Sequence, residues 1–315
     1  MQSKCKFIFF GTPHFAAALL EYLIKENILP IAIVTQPDRE RGRFQNLSFS
    51  AVKNTAVELA PSIPIFQPEK ASNPAFIQEI ALLSPDLFVV VGYGQILKQD
   101  LLNVPKFGSI NVHASLLPKY RGAAPIQRCL MDGQKKTGIT MMKIIPELDA
   151  GDILGVSEIA ISEDMNTGEL TEKLLEIAKP LLKNTLLKFE KGAVSGTKQN
   201  NHDATYAKKL TPEEFQIAWD FPASKVHNLV RALSPKPGAW SWAQIEGERK
   251  RVKILKTKLT FLKGEAPGEV MKHPDYPLVI NCLDSALAIL EVQMEGKKAM
   301  DPSSFLRGIK GKITF

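Results

Sequence analysis

Through its first half the chain alternates short apolar, β-prone runs with amphipathic segments of helix length, a rhythm that few folds accommodate. Lys6–Phe10, Ile31–Thr35, Leu87–Val91, Ser109–His113 and Gly138–Ile144 read as strands. The middle ones are almost continuously apolar, as strands covered on both faces are. Between them Phe15–Lys25, Ala51–Ala60, Pro74–Leu83 and Ala124–Met131 carry apolar residues at helical spacing, bounded by Pro, Asn or Gly. This predicts a doubly wound, mostly parallel α/β sheet of the Rossmann-like kind. A last acidic helix, Asn166–Glu190, ends the region, and the polar stretch Ser195–Thr205 after it reads as a linker.

Beyond residue 208 the pattern changes. A capped segment at Thr211-Pro212-Glu213-Glu214 and a helix over Ala223–Leu233 precede short β-like runs at Ala239–Ile245, Val252–Phe261, Glu269–Met271, Leu278–Asn281 and Ala286–Val292. Short strands at this spacing predict a smaller C-terminal antiparallel β-barrel, OB-like in type. The expected organisation is a catalytic domain over 1–190, a linker over 191–207 and the barrel over 208–315. The net charge of +7 follows the same division: residues 1–190 hold 20 Lys and Arg against 20 Asp and Glu, and residues 191–315 hold 20 against 13. Clustered positive charge suits a polyanion. A mildly basic but uncommitted surface is the other reading that charge alone leaves open.

A content of 44% hydrophobic and 23% charged residues excludes disorder, collagen and coiled coil. No run approaches the roughly 18 apolar residues of a bilayer span, and the N-terminus enters a strand without a small-residue cleavage site, so the protein is expected in the cytoplasm without a membrane. Cys5, Cys129 and Cys282 are odd in number and far apart, fitting neither a disulfide framework nor a zinc site. No His, Cys and carboxylate cluster has ligand spacing, and no metal is expected. The turn Phe10-Gly11-Thr12-Pro13-His14-Phe15 has one glycine where a dinucleotide loop wants three, and its proline removes a backbone donor.

Polar residues stand out on the fourth strand. Side chains alternate, so Ser109-Ile110-Asn111-Val112-His113 turns Asn111 and His113 to one face, just before the loop Ser115-Leu116-Leu117-Pro118-Lys119-Tyr120-Arg121-Gly122. Parallel sheets bind ligands where such strands end. The pair either meets a ligand there or satisfies itself and nearby backbone. Asp149, in Leu148-Asp149-Ala150-Gly151-Asp152, either caps its own turn or orients a histidine. Together an amide donor, an imidazole and a carboxylate suit an amine attacking a carbonyl through an oxyanionic intermediate. No nucleophile accompanies His113, and no G-x-S-x-G elbow occurs, so direct transfer or hydrolysis is expected rather than an acyl-enzyme.

The runs INVHASLLPKYRGAAPIQ at 110–127 and LDAGDIL at 148–154 resemble the folate-dependent formyltransferase family. The similarity extends to FFGTPHFAAALL, VTQPDRERGR, VVVGYGQIL and TYAKKLTPEE, nearly the whole chain, and points to members that act on methionyl initiator tRNA. The resemblance implies transfer of the formyl group of 10-formyltetrahydrofolate to the α-amine of methionine esterified to that tRNA, by a monomer. Formyl transfer to a small-molecule amine is the alternative. It implies that Asn111 and His113 hold the formyl oxygen while Asp149 orients His113 and accepts a proton. It further implies that Ser115, Leu116, Leu117 and Pro118 lie at the folate site, with the 88–94 strand end beside the pteridine, and that Arg43 in the 34–49 loop engages the tRNA. After Arg43 the sequence departs from the family, with Phe44-Gln45-Asn46 where a Gly-Lys-rich run is usual. On the same resemblance Lys208, Lys209, Arg249, Lys250, Arg251, Lys253, Lys256 and Lys258 would face the tRNA body.

Overall fold

The computed structural model describes residues 5–41, 46–309, 311 and 313–315 of the chain. Two compact units emerge. The first comprises residues 1–122, 138–159 and 173–206, and the second residues 123–137, 160–172 and 207–315.

The first unit is built on a seven-stranded sheet. Its elements, in chain order, are β1 (Phe7–Gly11), α1 (His14–Lys25), β2 (Ala32–Val34), a small hairpin of β3 (Arg39–Arg41) and β4 (Asn46–Ser48), α2 (Ala51–Leu59), β5 (Ile65–Phe66), α3 (Pro74–Leu82), β6 (Leu87–Val91), α4 (Gln99–Leu102) and β7 (Ser109–His113). After α5 (Pro125–Met131), which clusters with the second unit, come β8 (Lys136–Lys143), β9 (Ile153–Ala160) and the long α6 (Thr167–Glu190), whose start also clusters with the second. The strand order is β5-β2-β1-β6-β7-β8-β9. β1 pairs in parallel with both β2 and β6, and β6 with β7, whereas β8 runs antiparallel to β7. Strands β1 and β6 are buried along their whole length, and Phe10, Phe88 and Tyr93 pack with Val34, Phe76 and Ile80 into a core on one side of the sheet. Caps at Ser50, which accepts from Lys53 N, and Asn73, which accepts from Ala75 N, fix where α2 and α3 begin.

The stretch expected to be a linker is tied into this unit. Thr197 exchanges both backbone hydrogen bonds with Ile153 (2.8 and 2.9 Å), and Arg121 N donates to Thr205 O at 2.8 Å. Residues 123–137 and 160–172, read from sequence as parts of the first domain, cluster with the second unit instead. The reason is a pair of buried side chains on α7 (Ala223–Leu233). Arg231 donates to the carbonyls of Leu130, Ser162 and Met165, and His227 contacts the Glu163 carbonyl at 3.1 Å.

The second unit carries a six-stranded antiparallel sheet, ordered β12-β13-β14-β11-β10-β15. Its strands are β10 (Ala239–Ile245), β11 (Glu248–Leu259), β12 (Val270–Met271), β13 (Val279–Asn281), β14 (Ala286–Met294) and β15 (Ile313–Thr314), with α8 (Pro302–Arg307) between the last two. Phe315 N donates to Gly268 O (3.3 Å), which brings the two ends of that order together. Val226, Val230, Leu233, Val252, Ile254, Leu287, Ile289 and Phe305 form its core. The expected capping box is present at Thr211 and Glu214.

Candidate active site

Strands β1, β6 and β7 end side by side at the carboxyl edge of the first sheet, where the strand order reverses and such sheets open a crevice. The ends are locked together by polar contacts. Thr12 Oγ1 donates to the Tyr93 carbonyl (2.8 Å), which also accepts from Gln36 Nε2 (3.0 Å). The Tyr93 ring itself turns into the core edge-on to Phe10, its hydroxyl buried without a partner among the described residues and its pKa pushed up to about 12 by burial. With that ring in the core and Gly92 and Gly94 on either side, residues 92–94 present backbone rather than side chains at the strand end. Asp38, from the TQPDR run, is bonded by Lys53 and Gln67. Burial pushes its carboxyl up, but these bonds outweigh it and hold the group below the usual range. That motif anchors the base of the β3–β4 hairpin.

Asn111 and His113 share one face of β7, as alternation requires, and their register partners on β8, Met142 and Thr140, share it too. His113 is only 5% exposed. Its Nε2 lies 2.8 Å from the Tyr120 carbonyl. A carbonyl only accepts, so Nε2 carries the proton in this geometry. The other nitrogen, Nδ1, faces Asp149 Oδ2 at 3.6 Å, within ion-pair range but longer than a hydrogen bond. Asp149 sits in the left-handed region (φ 48°), and its Oδ2 accepts from Gly122 N at 2.8 Å. The half-buried Asn111 amide makes no hydrogen bond to another side chain or to backbone among the described residues.

The following loop is fixed by its own polar groups. Thr140 Oγ1 donates to Ser115 O (2.7 Å) and accepts from Leu117 N (3.2 Å), and Ser115 Oγ donates to Lys119 O (2.7 Å). Ser115 and Leu117 are therefore buried in holding the loop, while Leu116 and Pro118 keep partly open apolar surface. The serine hydroxyl, turned into its loop, is no nucleophile. The thiols are also sequestered: Cys129 donates to Ile126 O and is pushed by burial to about 11, and Cys5 and Cys282 to about 12. No cluster of three metal-ligating side chains occurs among the described residues, and no helix there is long and apolar enough to cross a membrane.

Arg43 lies outside the described residues. Its neighbour Arg39 is exposed and paired with Glu69 at 2.8 Å. In the second unit the predicted basic positions from Arg249 to Lys258 fall on β11, whereas Lys208 and Lys209 lie by α5, whose Arg128 donates to their carbonyls. Arg251 stacks on Trp240 (4.2 Å to the ring centre) and Arg249 on Trp242 (4.5 Å), with Lys253 in register with Trp240. Lys208, Lys209, Lys256 and Lys258 are exposed, while Lys250 pairs with Glu248 at 2.9 Å. A bulge between Ile254 and Lys256 is what shifts the outward positions from odd to even numbers.

Sequence patterns did not reveal Tyr120, Gln199 or Thr205 as neighbours of the site. Tyr120 contributes a backbone carbonyl, which no side-chain pattern signals, and the other two stood in the presumed linker.

An α/β sheet that presents amide, imidazole and carboxylate at a strand's carboxyl end, with the adjacent serine hydroxyl and the thiols turned inward, has the make-up of a group-transfer enzyme. The chain belongs to the formyl transferase family: residues 4–186 match its Formyl transferase domain and residues 209–310 its C-terminal domain. Methionyl-tRNA formyltransferase of Protochlamydia amoebophila is 41% identical over 313 residues, 99% of this chain and 98% of that one. The enzyme of the same name from Chlamydia caviae is 43% identical over 306 residues, 96% and 95% of the two chains. Among solved structures, an N-formyltransferase of Helicobacter canadensis, in complex with folinic acid and dTDP-3-aminofucose, superposes with a TM-score of 0.65 at 20% identity over 90% of this chain and 99% of its own.

Proposed function

We propose that this enzyme transfers the formyl group of 10-formyltetrahydrofolate to the α-amine of methionyl initiator tRNA, acting as a monomer in the cytoplasm. The observation that carries the chemistry is the His113–Asp149 pair facing one another at 3.6 Å, with His113 on the strand face it shares with Asn111, whose amide has no hydrogen-bond partner among the described residues. The full-length relatives named for methionyl-tRNA support the acceptor over a small amine.

In the reaction a C–N bond forms between the methionine amine and the formyl carbon, and the bond from that carbon to the folate nitrogen breaks. One proton leaves the amine and one reaches the folate nitrogen. Asn111 donates to the formyl oxygen as negative charge develops on it. His113 assists the same oxygen in its doubly protonated form, donating through Nδ1–H because Nε2–H is already given to the Tyr120 carbonyl. Asp149 orients that edge and accepts a proton from the attacking amine, directly or through water. The gap between them matches catalytic pairs that close only in the reacting complex. Leu116 and Pro118 offer apolar surface for the folate ring system, on a loop that Ser115 and Leu117 hold in place. Arg43 engages the acceptor end of the tRNA. The Trp-backed arginines and Lys253 meet the tRNA body through phosphate and shape.

Replacing His113 by Ala is expected to lower turnover by about 10²–10⁴-fold, with tRNA affinity nearly unchanged. Steady-state formylation alongside a tRNA-binding titration measures both. Near-normal turnover would remove His113 from the chemistry.

A further inference from the structure

We infer that the segment Thr197–Thr205 positions the catalytic pair, with Gln199 acting on Asp149 and Thr205 on the partner of His113. The inference rests on the roles given to His113 and Asp149 above.

Gln199 Nε2 donates to two carbonyls of the Asp149 turn, those of Asp149 itself (2.9 Å) and Gly151 (2.8 Å). Its Oε1 accepts from Arg121 Nε (3.1 Å) and Nη2 (2.8 Å). A guanidinium has only donors, so Arg121 dictates which end of the amide it meets and thereby turns the NH₂ group onto the turn. Arg121 is 4% exposed, and the same Nη2 also donates to Asn201 Oδ1 at 2.8 Å. The buried cation is thus spent on the segment.

At the other end, Thr205 Oγ1 accepts from Tyr120 N (2.9 Å) and Thr205 O from Arg121 N (2.8 Å). Tyr120 supplies the carbonyl that holds His113 Nε2. One stretch of chain therefore reaches both sides of the pair, the backbone behind the imidazole and the turn behind the carboxylate. Asp149 also needs such support. A non-glycine residue at φ 48° persists where its surroundings over-determine it, and Gln199 grips the carbonyl of that very residue.

The test is Gln199→Glu in the full chain. The variant keeps the size and an acceptor for Arg121 but loses the N–H donors to the turn. The expected result is a fall in kcat on the order of 10²-fold, as for a small displacement of reacting groups. KM for formylfolate and for charged tRNA should stay within about twofold, and the pH profile of kcat should be displaced. Exposed Lys188→Ala, outside the segment, serves as the control with normal turnover. Normal kcat and pH profile for Gln199→Glu, or a loss confined to KM, would overturn the inference. His113→Ala in the same assay separates the two ideas: if it is inactive while Gln199→Glu is normal, only the positioning role falls. If Gln199→Glu does not fold, Thr205→Val removes just the acceptor for Tyr120 N, and unchanged turnover there overturns the inference equally.

Discussion

Gly151 has no room for a side chain: an ideal Cβ would stand 1.9 Å from the Lys143 carbonyl oxygen, where the turn bearing Asp149 folds back on β8. Gly151→Ala should therefore force the turn outward, costing about 1–3 kcal/mol of stability by overpacking. Urea unfolding measures this, and an unchanged midpoint would show that the turn shifts freely. At this scale Asn111 and His113 were legible because a period of two leaves no choice of face once the strand is recognised. The glycine in the D-x-G-D turn was legible as a turn residue, but its close approach to β8 was not. Nor were Gln199 and Asn201, which meet Arg121 across 78 and 80 residues of chain. Polar residues that act only through such long-range bonds look in sequence like ordinary linker.

Helix α7 was visible at its full length, yet its most consequential residues point inward. His227 is buried between Thr257 Oγ1 (2.9 Å) and the Glu163 carbonyl (3.1 Å), and burial holds its pKa below the ordinary 6.5. The unfolded chain then takes up a proton as pH falls through 6.5 while the folded chain does not. Stability present above that pH is lost below it, down toward the folded value. Urea midpoints compared between about pH 7.5 and about pH 5.5 should fall in the parent protein and fall less in His227→Gln. Equal slopes would contradict the assignment. Other elements escaped sequence reading for physical reasons. β5, β12 and β15 have two residues each, too few for a period to appear, although β12 fell inside a predicted run. β9 lies at the sheet edge, with Gly155, Ser157 and Glu158 interrupting its apolar positions.

Across the whole molecule the fold class followed from the change of pattern near residue 208, and of the basic residues that give the last 125 their charge excess, Arg249 and Arg251 stack on Trp242 and Trp240 on a sheet face, with Lys253 in register with Trp240. The division of the chain did not follow from sequence order. Segments 123–137 and 160–172 cross to the second unit because buried Arg231 needs their carbonyls, and residues 191–206 belong to the first because Thr197, Gln199 and Thr205 are bonded into it. One chemistry is joined to one large acceptor in this enzyme, and a single assay addresses both. Formyl transfer from 10-formyltetrahydrofolate should be measured with methionyl initiator tRNA, free methionine and glycinamide ribonucleotide as parallel acceptors. Transfer confined to the charged tRNA is the predicted result, and transfer to a small amine alone, or to none of the three, would contradict it.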